Sequence, residues 1–277
     1  MKVLVIGINS FISQHLRLTV GTRNWIFKTH EEIKLDAPSL INFDVVINLA
    51  VAPSIFTNDF KDDDDFDVWL AQHLQHNSNA HFVMISTRQV YGDFECLTET
   101  SVPLPSSAYG QNKLRTEYRV SELIDSARLT ILRCSNVFGF EPGRRTFFGI
   151  MLTSLISDSV IRFNISPKTK KDFITVQDCA QIISQVALKR LPGLYNLGSG
   201  LDVECGALGL AVIKGYTMGQ LISNSKAVEG QFSMDVSKLS ALINYPKMTE
   251  RALELEAENI GSQLKVLALK AVGFKLS

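Results

Sequence analysis

Apolar runs of strand length alternate with helix-like segments along the first part of the chain. The predicted strands cover residues 3–6, 25–30, 45–50, 81–85 and 129–133. Runs that are apolar throughout are typical of parallel strands that helices cover on both faces. Strands and helices that alternate in this way favour an α/β fold with a doubly wound parallel sheet and right-handed crossovers.

The turn after the first apolar run is a candidate dinucleotide site. A buried strand that ends at Gly7, followed by a helix from Phe11, places a helix N-terminus where a pyrophosphate can bind. A G-x-x-G-x-x-G pattern would have three glycines in this turn, but the chain has Gly7, Ser10 and Ser13. Serine is small, yet it leaves the backbone less free to approach a phosphate than glycine does.

The end of the second predicted strand carries basic residues. In a dinucleotide site, an acidic residue there holds the ribose 2′-hydroxyl of NAD, whereas a basic residue suits the 2′-phosphate of NADP. Lys28 and His30 precede Glu31 and Glu32, which favours NADP over NAD as the cofactor. A solvated strand end would carry the same residues.

Tyr109 and Lys113 are four residues apart in a segment that reads as helix, so they share one helix face. A free phenol has a pKa of about 10, and a nearby ammonium lowers it towards neutral pH. The pair is therefore a candidate general acid and base. A solvated helix face would show the same spacing by chance.

Composition and charge argue against several classes of function. Lys and Arg together number 28, as do Asp and Glu, so no net charge attracts nucleic acid or an anionic membrane. No apolar stretch has the length of a secretion signal or a bilayer span. The dispersed cysteines (Cys96, Cys134, Cys179 and Cys205) predict neither a metal site nor disulfides, and therefore a cytoplasmic protein. The four aspartates at 62–65 are predicted to be a solvated loop or a helix start without function.

Further segments of the chain occur in a recognisable order. They are IST at 85–87 with VYG at 90–92, AYGQNK at 108–113, LRCSNVFG at 132–139, KDFITVQD at 171–178 and LYNLGSG at 194–200. With the Gly7 turn, they resemble the extended short-chain dehydrogenase/reductase superfamily, in its sugar-nucleotide-modifying NAD-dependent epimerase/dehydratase group. The resemblance implies a Rossmann-type dinucleotide-binding domain (1–140 plus about 173–200) and a smaller C-terminal substrate-binding lobe (141–172 plus 201–277).

The resemblance also implies roles for individual residues. Thr87 would hold the substrate oxygen, Tyr109 would donate or accept the proton, and Lys113 would bind the nicotinamide ribose while it lowers the pKa of Tyr109. Taken together, the residues expected to contact the cofactor are Gly7, Asn9, Ser10, Phe11, Ile12, Lys28, His30, Leu49, Ala50, Val51, Tyr109 and Lys113. Those expected to contact a nucleotide-diphosphate sugar are Thr87, Asn136, Arg144, Arg145 and Lys171. A solvated basic loop would also account for the last three.

The residues after Thr87 depart from one branch of the family. Relatives that eliminate water to make 4-keto-6-deoxy sugars carry an Asp-Glu pair there, whereas this chain has Arg88 and Gln89. An arginine and a neutral amide cannot perform that acid/base work, so a 4,6-dehydratase is not expected.

The reaction that remains is hydride chemistry at a sugar carbon. The second strand ends in basic residues, and the chain is short for the family. Both features favour an NAD(P)-dependent reductase of a 4-keto (deoxy)sugar nucleotide. An NAD-dependent 4-epimerase with retained cofactor would use the same residues, and a non-catalytic dinucleotide sensor or scaffold would share the fold. The resemblance further implies a homodimer formed by the Tyr109 helix and its neighbour, although core packing would equally explain Val120, Leu123 and Ile124.

Overall fold

Strands and helices alternate through most of the computed structural model, which describes residues 1–21, 24–77, 79–92 and 95–271. The strands are β1 (Val3–Ile6), β2 (Trp25–Lys28), β3 (Val45–Asn48), β4 (His81–Thr87), β5 (Cys96–Leu97), β6 (Leu129–Cys134), β7 (Asn136–Phe138), β8 (Val160–Phe163), β9 (Lys170–Lys171), β10 (Phe173–Thr175), β11 (Gly193–Leu197), β12 (Val203–Glu204), β13 (Gln220–Ser223) and β14 (Ser233–Met234). The α-helices are α1 (Phe11–Val20), α2 (His30–Leu35), α3 (Phe66–Asn77), α4 (Ala108–Leu123), α5 (Phe147–Asp158), α6 (Val176–Lys189), α7 (Cys205–Tyr216), α8 (Ser237–Ser240) and α9 (Glu250–Ala271). Short 3-10 helices lie at Ala37–Asn42, Pro53–Phe56, Asp62–Asp64, Arg88–Tyr91 and Ser126–Arg128.

The central sheet has six parallel strands in the order β11-β6-β4-β3-β1-β2. It confirms the predicted Rossmann-type, doubly wound α/β fold. The strand order reverses at β1, which has β2 on one side and β3 on the other. In such sheets a ligand crevice opens beyond the carboxyl ends of the strands at this point. Gly7 follows β1 and residues 49–51 follow β3, so both segments lie at this crevice.

Alternate residues of the strands enter two different cores, one on each face of the sheet. Val3 and Val5 pack with α1 and α6, whereas Leu4 and Ile6 pack with α2, α3 and α4. Successive side chains of a strand point to opposite faces, so a strand buried on both sides has to be apolar throughout. The continuous apolar runs therefore predicted this layering correctly.

A third apolar cluster lies outside the sheet layers. It joins α5, α7 and α9 to β8 through buried side chains such as Leu152, Leu208 and Ile260. A smaller cluster packs Tyr91 against Phe232 and Met234, which lie between α7 and α9 in the chain. The division into a dinucleotide-binding domain and a smaller lobe at the stated boundaries remains a prediction.

Two strands end earlier than the sequence predicts, because side chains redirect the backbone. β2 stops at Lys28, and Thr29 caps α2: its hydroxyl accepts from Glu32 N at 3.2 Å, while the Glu32 carboxylate accepts from Thr29 N at 2.7 Å. His30 is therefore the first residue of α2 rather than a strand residue. β3 stops at Asn48, whose side-chain oxygen accepts from Ala50 N at 3.0 Å.

The C-terminal third of the chain contains both helices and strands. Helices α7 and α9 lie in this region, but the residues between them form β13, β14 and the single turn of α8. β13 pairs with β8 and β14 pairs with β5, so each is held by a strand far away in sequence. Local apolar spacing does not reveal such pairings. Residues 272–277, which were included in the predicted lobe, lie outside the described residues.

The described part of the chain contains no helix with both the length and the apolar character that a bilayer span requires. Within the same residues, no three His, Cys, Asp or Glu side chains come together in a way that could hold a metal ion. Cys96 is exposed, the other three cysteines are buried, and all four are free thiols.

Candidate active site

The turn after β1 approaches the segment after β3 so closely that only glycine fits. Gly7 has a φ of +93°, and a Cβ built on it would lie 2.6 Å from Ala50 N and 2.8 Å from the Leu49 carbonyl carbon. A side chain at this position would meet both the steric clash and the unfavourable φ. Gly7, Leu49 and Ala50, which were predicted to contact the cofactor, are thus brought together at the crevice.

Ser10 and Ser13, which replace the expected glycines, fit the turn without backbone strain. Ser10 has a φ of −70° and a ψ of 151°, and its hydroxyl caps α1 by accepting from Ser13 N at 3.2 Å. Ser13 is fully buried within α1. The capped N-terminus of α1 therefore presents backbone N–H groups at the crevice, as an anion site requires. Phe11 and Ile12 are half-buried in its first turn, and Asn9 is exposed before it.

The basic residues at the end of β2 and the start of α2 each lie beside a carboxylate. Lys28 Nζ is 3.9 Å from an oxygen of Asp36, and His30 Nε2 is 3.0 Å from an oxygen of Glu31. The mixed charges around this strand end leave NAD and NADP both compatible with it. The preference for NADP remains a prediction.

Thr87 and Tyr109 are brought into contact by the docking of α4 onto the turn after β4. Ser107 caps α4 by accepting from Gly110 N at 3.1 Å, and its hydroxyl donates to Gln89 Oε1 at 2.7 Å. A Cβ on Gly110 would lie 2.5 Å from Gln89 O, so the missing side chain allows this close approach. At the docked end, the side chain of Thr87 faces the phenol of Tyr109.

The pKa of Tyr109 is raised above its ordinary value, contrary to the expectation that Lys113 lowers it. Burial is the largest cause, and Cys134 and Asp67 add to it. The Lys113 ammonium and the Thr87 side chain act in the opposite direction without prevailing. The phenol therefore holds its proton at neutral pH.

Lys113 is buried in an ion pair that the sequence did not indicate. Its Nζ donates to Asp67 Oδ2 at 3.0 Å and to Ile85 O at 2.9 Å. Burial alone would lower the pKa of Lys113, but Asp67, Tyr109 and Asp65 raise it overall. Lys113 is therefore a fixed ammonium one helical turn from Tyr109.

The acidic run before α3 is only partly solvated, which corrects the prediction for one of its members. Asp63 and Asp64 are exposed, but Asp65 is buried. Asp65 accepts from Val68 N at 3.2 Å and from Thr116 Oγ1 at 2.6 Å, so it begins α3 and ties that helix to α4. Its burial, followed by the nearby charge of Asp67, raises the pKa of its carboxyl.

The segment between β3 and α3 crosses α4 and covers the Tyr109 ring. Phe56 stacks on Tyr109 with ring centroids 4.6 Å apart and planes inclined by 24°. Asn112 Nδ2 fastens the segment by donating to Ile55 O and Thr57 O, at 2.9 Å each. Residues that include Ala50, Val51, Asp67 and Lys113 line a small cleft beside this segment. The predicted cofactor residues at 50 and 51 are thus connected to Lys113.

The predicted substrate residues lie near the N-terminus of α5. Arg144 and Arg145 are exposed just before it, and the Lys171 ammonium is 6.0 Å from the ring centre of Phe147. Arg144 also reaches the cofactor turn, with its guanidinium carbon 5.1 Å from the ring centre of Phe11. Its Nε lies 2.9 Å from an oxygen of Glu141.

Asn136 begins β7, and its amide donates to Asp172 O at 3.1 Å, which ties it to the residue that follows Lys171. Arg88 is half-buried, with its guanidinium carbon 4.1 Å from the ring centre of Phe232. Gln89 holds the cap of α4, as described above. Neither Arg88 nor Gln89 supplies a carboxyl group beside Thr87.

Known proteins resemble the chain in sequence and in fold. The model of the NAD-dependent epimerase/dehydratase family matches residues 3–198. The dTDP-glucose 4,6-dehydratase of Escherichia coli is 26% identical over 145 residues. That match covers 47% of this chain and 40% of the relative, so the chain spans less than half the length of this curated relative.

Solved structures share the fold at low sequence identity. A variant of the UDP-glucuronic acid 4-epimerase of Bacillus cereus, in complex with UDP-4-deoxy-4-fluoro-glucuronic acid and NAD, is 21% identical with a TM-score of 0.76, over 96% of this chain and 100% of that one. The RMD protein of Pseudomonas aeruginosa, complexed with NADPH, is 17% identical with a TM-score of 0.76 and the same coverage. The dTDP-4-dehydrorhamnose reductase of Yersinia enterocolitica is 15% identical with a TM-score of 0.74, over 94% and 99%.

The family match covers well over half of the chain and includes the Gly7 turn, Thr87, Tyr109 and Lys113. It bears out the resemblance drawn from the ordered segments. The protein therefore belongs to the NAD-dependent epimerase/dehydratase family.

Proposed function

We propose that the protein is an NAD(P)-dependent oxidoreductase that reduces a 4-keto (deoxy)sugar nucleotide, with Tyr109 as the proton donor. The observation that carries the proposal is a Tyr109 phenol that faces Thr87 and Lys113, is covered by Phe56, and has a pKa raised mainly by burial. A phenol that keeps its proton at neutral pH is ready to protonate the alkoxide that a reduction forms. The phenolate left behind is stabilised by the Lys113 ammonium and is reprotonated from solvent.

The residues around the crevice fit a dinucleotide. The close approach at Gly7 and the N-terminus of α1 would hold the pyrophosphate, Ala50 and Val51 would lie beneath the cofactor, and Lys113 would bind the nicotinamide ribose. When bound in its reduced form, the cofactor supplies the hydride that makes the new C–H bond. The carbonyl electron pair moves to the oxygen, Thr87 holds that oxygen, and Tyr109 protonates it.

The cations near α5 support a nucleotide diphosphate as part of the substrate. Arg144, Arg145 and Lys171 lie around a helix N-terminus, where phosphate oxygens are favoured by both the charges and the free N–H groups. Asn136, next to this region, would contact the nucleotide sugar. Replacement of both Arg144 and Arg145 by Ala is expected to raise KM for the sugar nucleotide about 10-fold or more, since charge-assisted hydrogen bonds contribute about 1.5–3 kcal/mol each.

A 4-epimerase with retained NAD is the second candidate. The carboxylates beside Lys28 and His30 favour it, because they offset the charges that would attract the 2′-phosphate of NADP. In that reaction Tyr109 would first accept a proton from the sugar hydroxyl and later return it. Lys28→Ala separates the cofactors: it should weaken NADPH binding and leave NADH binding unchanged if the 2′-phosphate lies at this strand end.

Dehydration is outside the proposed activity, although the curated relative is a 4,6-dehydratase. Arg88 and Gln89 offer no carboxyl group for the elimination. Incubation with dTDP-glucose and NAD is expected to give no 4-keto-6-deoxy product. A non-catalytic sensor on the same fold would bind the dinucleotide but turn over no sugar nucleotide.

The proposed homodimer finds no support in the apolar residues first considered for it. Val120 and Ile124 are buried in the core beneath the sheet, and Leu123 packs against the same core. These side chains serve the fold of one chain. A homodimer in the cytoplasm remains part of the proposal, and its test is the mass of the protein in solution.

The experiment that tests the proposed function measures absorbance at 340 nm with NADPH or NADH and a panel of dTDP-, CDP-, GDP- and UDP-linked 4-keto sugars. A reductase consumes one cofactor for each keto group reduced. An epimerase purifies with NAD bound, consumes no added cofactor and interconverts the 4-hydroxy sugars. If the protein binds the cofactor and catalyses neither reaction, the sensor is the correct alternative.

A further inference from the structure

Asp67 makes the closest charged contact to Lys113, and both side chains are almost completely buried. The Asp67 and Lys113 side chains are 5% and 3% exposed, and the ammonium nitrogen lies 3.0 Å from Oδ2. The other carboxylate oxygen, Oδ1, accepts from Asn48 Nδ2 at 2.7 Å. Asp67 is therefore fixed between the end of β3 and the middle of α4.

The contacts of Lys113 come from three different elements. Asp67 lies in the first turn of α3, Ile85 O in β4, and the lysine itself in α4. An ammonium has three N–H donors, and these two bonds direct the side chain while a third donor can serve a ribose hydroxyl. Without Asp67, a buried ammonium would lose the partner that compensates its desolvation.

Several charged and polar groups around Tyr109 influence its protonation. The phenol faces Lys113 from its own helix, Asp67 from α3, Cys134 from β6 and the Thr87 hydroxyl from β4. Lys113 faces Asp65 as well. Lys113 is the cation among these groups, and by itself it would favour the phenolate. The Asp67 carboxylate, paired with Lys113 at hydrogen-bond distance, carries the opposite charge.

We infer that Asp67 is a positioning residue that fixes the Lys113 ammonium and offsets its charge, so that Tyr109 remains a proton donor. This inference deepens the proposed function and rests on Tyr109 as its acid. Reduction needs the phenol protonated before hydride transfer, whereas oxidation of a sugar hydroxyl needs a phenolate to accept a proton. Asp67 thereby keeps Tyr109 in the protonated form that the reduction uses.

The test is a direct titration of Tyr109 by the absorbance of its phenolate at 295 nm. The difference between each protein and its Tyr109→Phe counterpart isolates this one phenol. Asp67→Asn removes the charge and keeps a side-chain oxygen that can accept from Lys113. In Asp67→Asn, Tyr109 is expected to ionise at a pH lower by about 1 unit or more than in the unmodified protein, because a nearby uncompensated cation shifts a pKa by about 1–3 units.

The matched control replaces a different buried carboxylate by its amide. Glu117 is another buried carboxylate; it lies on α4, accepts from Ser86 and pairs with Arg133 at 2.6 Å. Glu117→Gln is expected to lower stability without moving the titration of Tyr109. Far-UV circular dichroism over the same pH range marks where each protein unfolds and limits the comparison to folded protein.

The double variant Asp67→Asn/Lys113→Met tests whether the two charges offset each other. It contains no buried charge at this site, and replacement of a whole buried ion pair is better tolerated than the loss of one partner. Its Tyr109 should titrate closer to the unmodified protein than that of Asp67→Asn does. If Asp67→Asn does not fold, the double variant is compared with Lys113→Met, which keeps Asp67. Tyr109 should then titrate at a lower pH in the double variant.

The inference is overturned if Asp67→Asn titrates together with the unmodified protein or at higher pH. It is equally overturned if Asp67 makes no difference in the Lys113→Met background. The titration uses neither substrate nor cofactor, so a protein that fails to reduce 4-keto sugars would refute the proposed function and leave this result intact. Conversely, the unmodified protein can prove to be an active reductase while Tyr109 titrates at the same pH in Asp67→Asn. That result refutes only the role of Asp67.

Discussion

Phe56 lies almost flat on Tyr109, with their ring centroids 4.6 Å apart. The two residues belong to segments that are more than 50 positions apart, and Asn112 fastens one segment to the other through two backbone carbonyls. Phe56 itself is 59% exposed, so its outer face is open to solvent while its inner face covers the phenol ring. One exposed aromatic side chain therefore contributes to the burial that keeps Tyr109 protonated.

Removal of the Phe56 ring is expected to shift the pH dependence of reduction. Phe56→Ala exposes Tyr109 to water, which favours the phenolate and lowers the pKa of the phenol. The alkaline limb of the kcat profile should therefore move to lower pH, with stability changed by no more than about 1 kcal/mol at this exposed position. The measurement is kcat from pH 6 to pH 11, because the alkaline limb of the unmodified enzyme lies above the ordinary phenol pKa of about 10.

Tyr118→Ala is the control for Phe56→Ala, because Tyr118 is equally exposed (59%) and lies on α4. Its profile should overlay that of the unmodified enzyme. A Phe56→Ala profile that overlays both would show that the stack does not influence proton transfer.

The close contact at Gly7 predicts a specific effect on cofactor binding. Gly7→Ala places a methyl group 2.6 Å from Ala50 N in addition to the strain of its positive φ. Gly143 has a similar φ of +87° with nothing within 4 Å of the added methyl, so Gly143→Ala reports the strain alone. That strain is expected to destabilise the fold by about 1 kcal/mol.

The comparison of the two glycine variants uses urea unfolding and fluorescence titration with NADH and NADPH. Gly7→Ala should be less stable than Gly143→Ala and should bind the cofactor at least about 10-fold more weakly, since the turn must move where a pyrophosphate would lie. Equal cofactor affinities for the two variants would place the pyrophosphate elsewhere.

The alternating apolar runs were sufficient to predict the sheet, because a strand buried on both faces cannot have another pattern. They did not predict where Asp65 and Asp67 lie. Four consecutive aspartates read locally as a solvated segment. The burial of Asp65 depends on Thr116, and that of Asp67 on Asn48 and Lys113, which come from β3 and α4 and reach α3 only in the folded protein.

The pKa of Tyr109 also could not be predicted from the sequence alone. The i, i+4 spacing correctly placed Lys113 beside it, but the direction of the pKa depends on burial and on a carboxylate from another helix. Spacing along one helix cannot reveal either.

Glu141 makes the stability of the protein depend on pH. Burial raises the pKa of its carboxyl from 4.5 to about 7, although Thr146 and Arg144 act in the opposite direction. As the pH rises through this window, the unfolded chain releases a proton that the folded protein keeps, so stability falls. The loss above pH 7 is on the order of 3 kcal/mol.

Glu141→Gln should remove this dependence, and urea unfolding at several values between pH 5 and pH 8 measures it. The variant should gain stability relative to the unmodified protein as the pH increases. A difference that stays constant over this range would mean that Glu141 titrates alike in the folded and unfolded states.

The most direct test of Tyr109 as the proton donor follows deuterium from the cofactor into the sugar. NADPH or NADH deuterated at the transferred position is supplied with a 4-keto sugar nucleotide, and the mass of the product is measured by mass spectrometry. The unmodified protein should place one deuterium at C4 for each cofactor oxidised. Tyr109→Phe should form product about 10²–10⁴-fold more slowly while it binds the cofactor with unchanged affinity. Deuterium transfer by Tyr109→Phe at the unmodified rate would contradict the assignment.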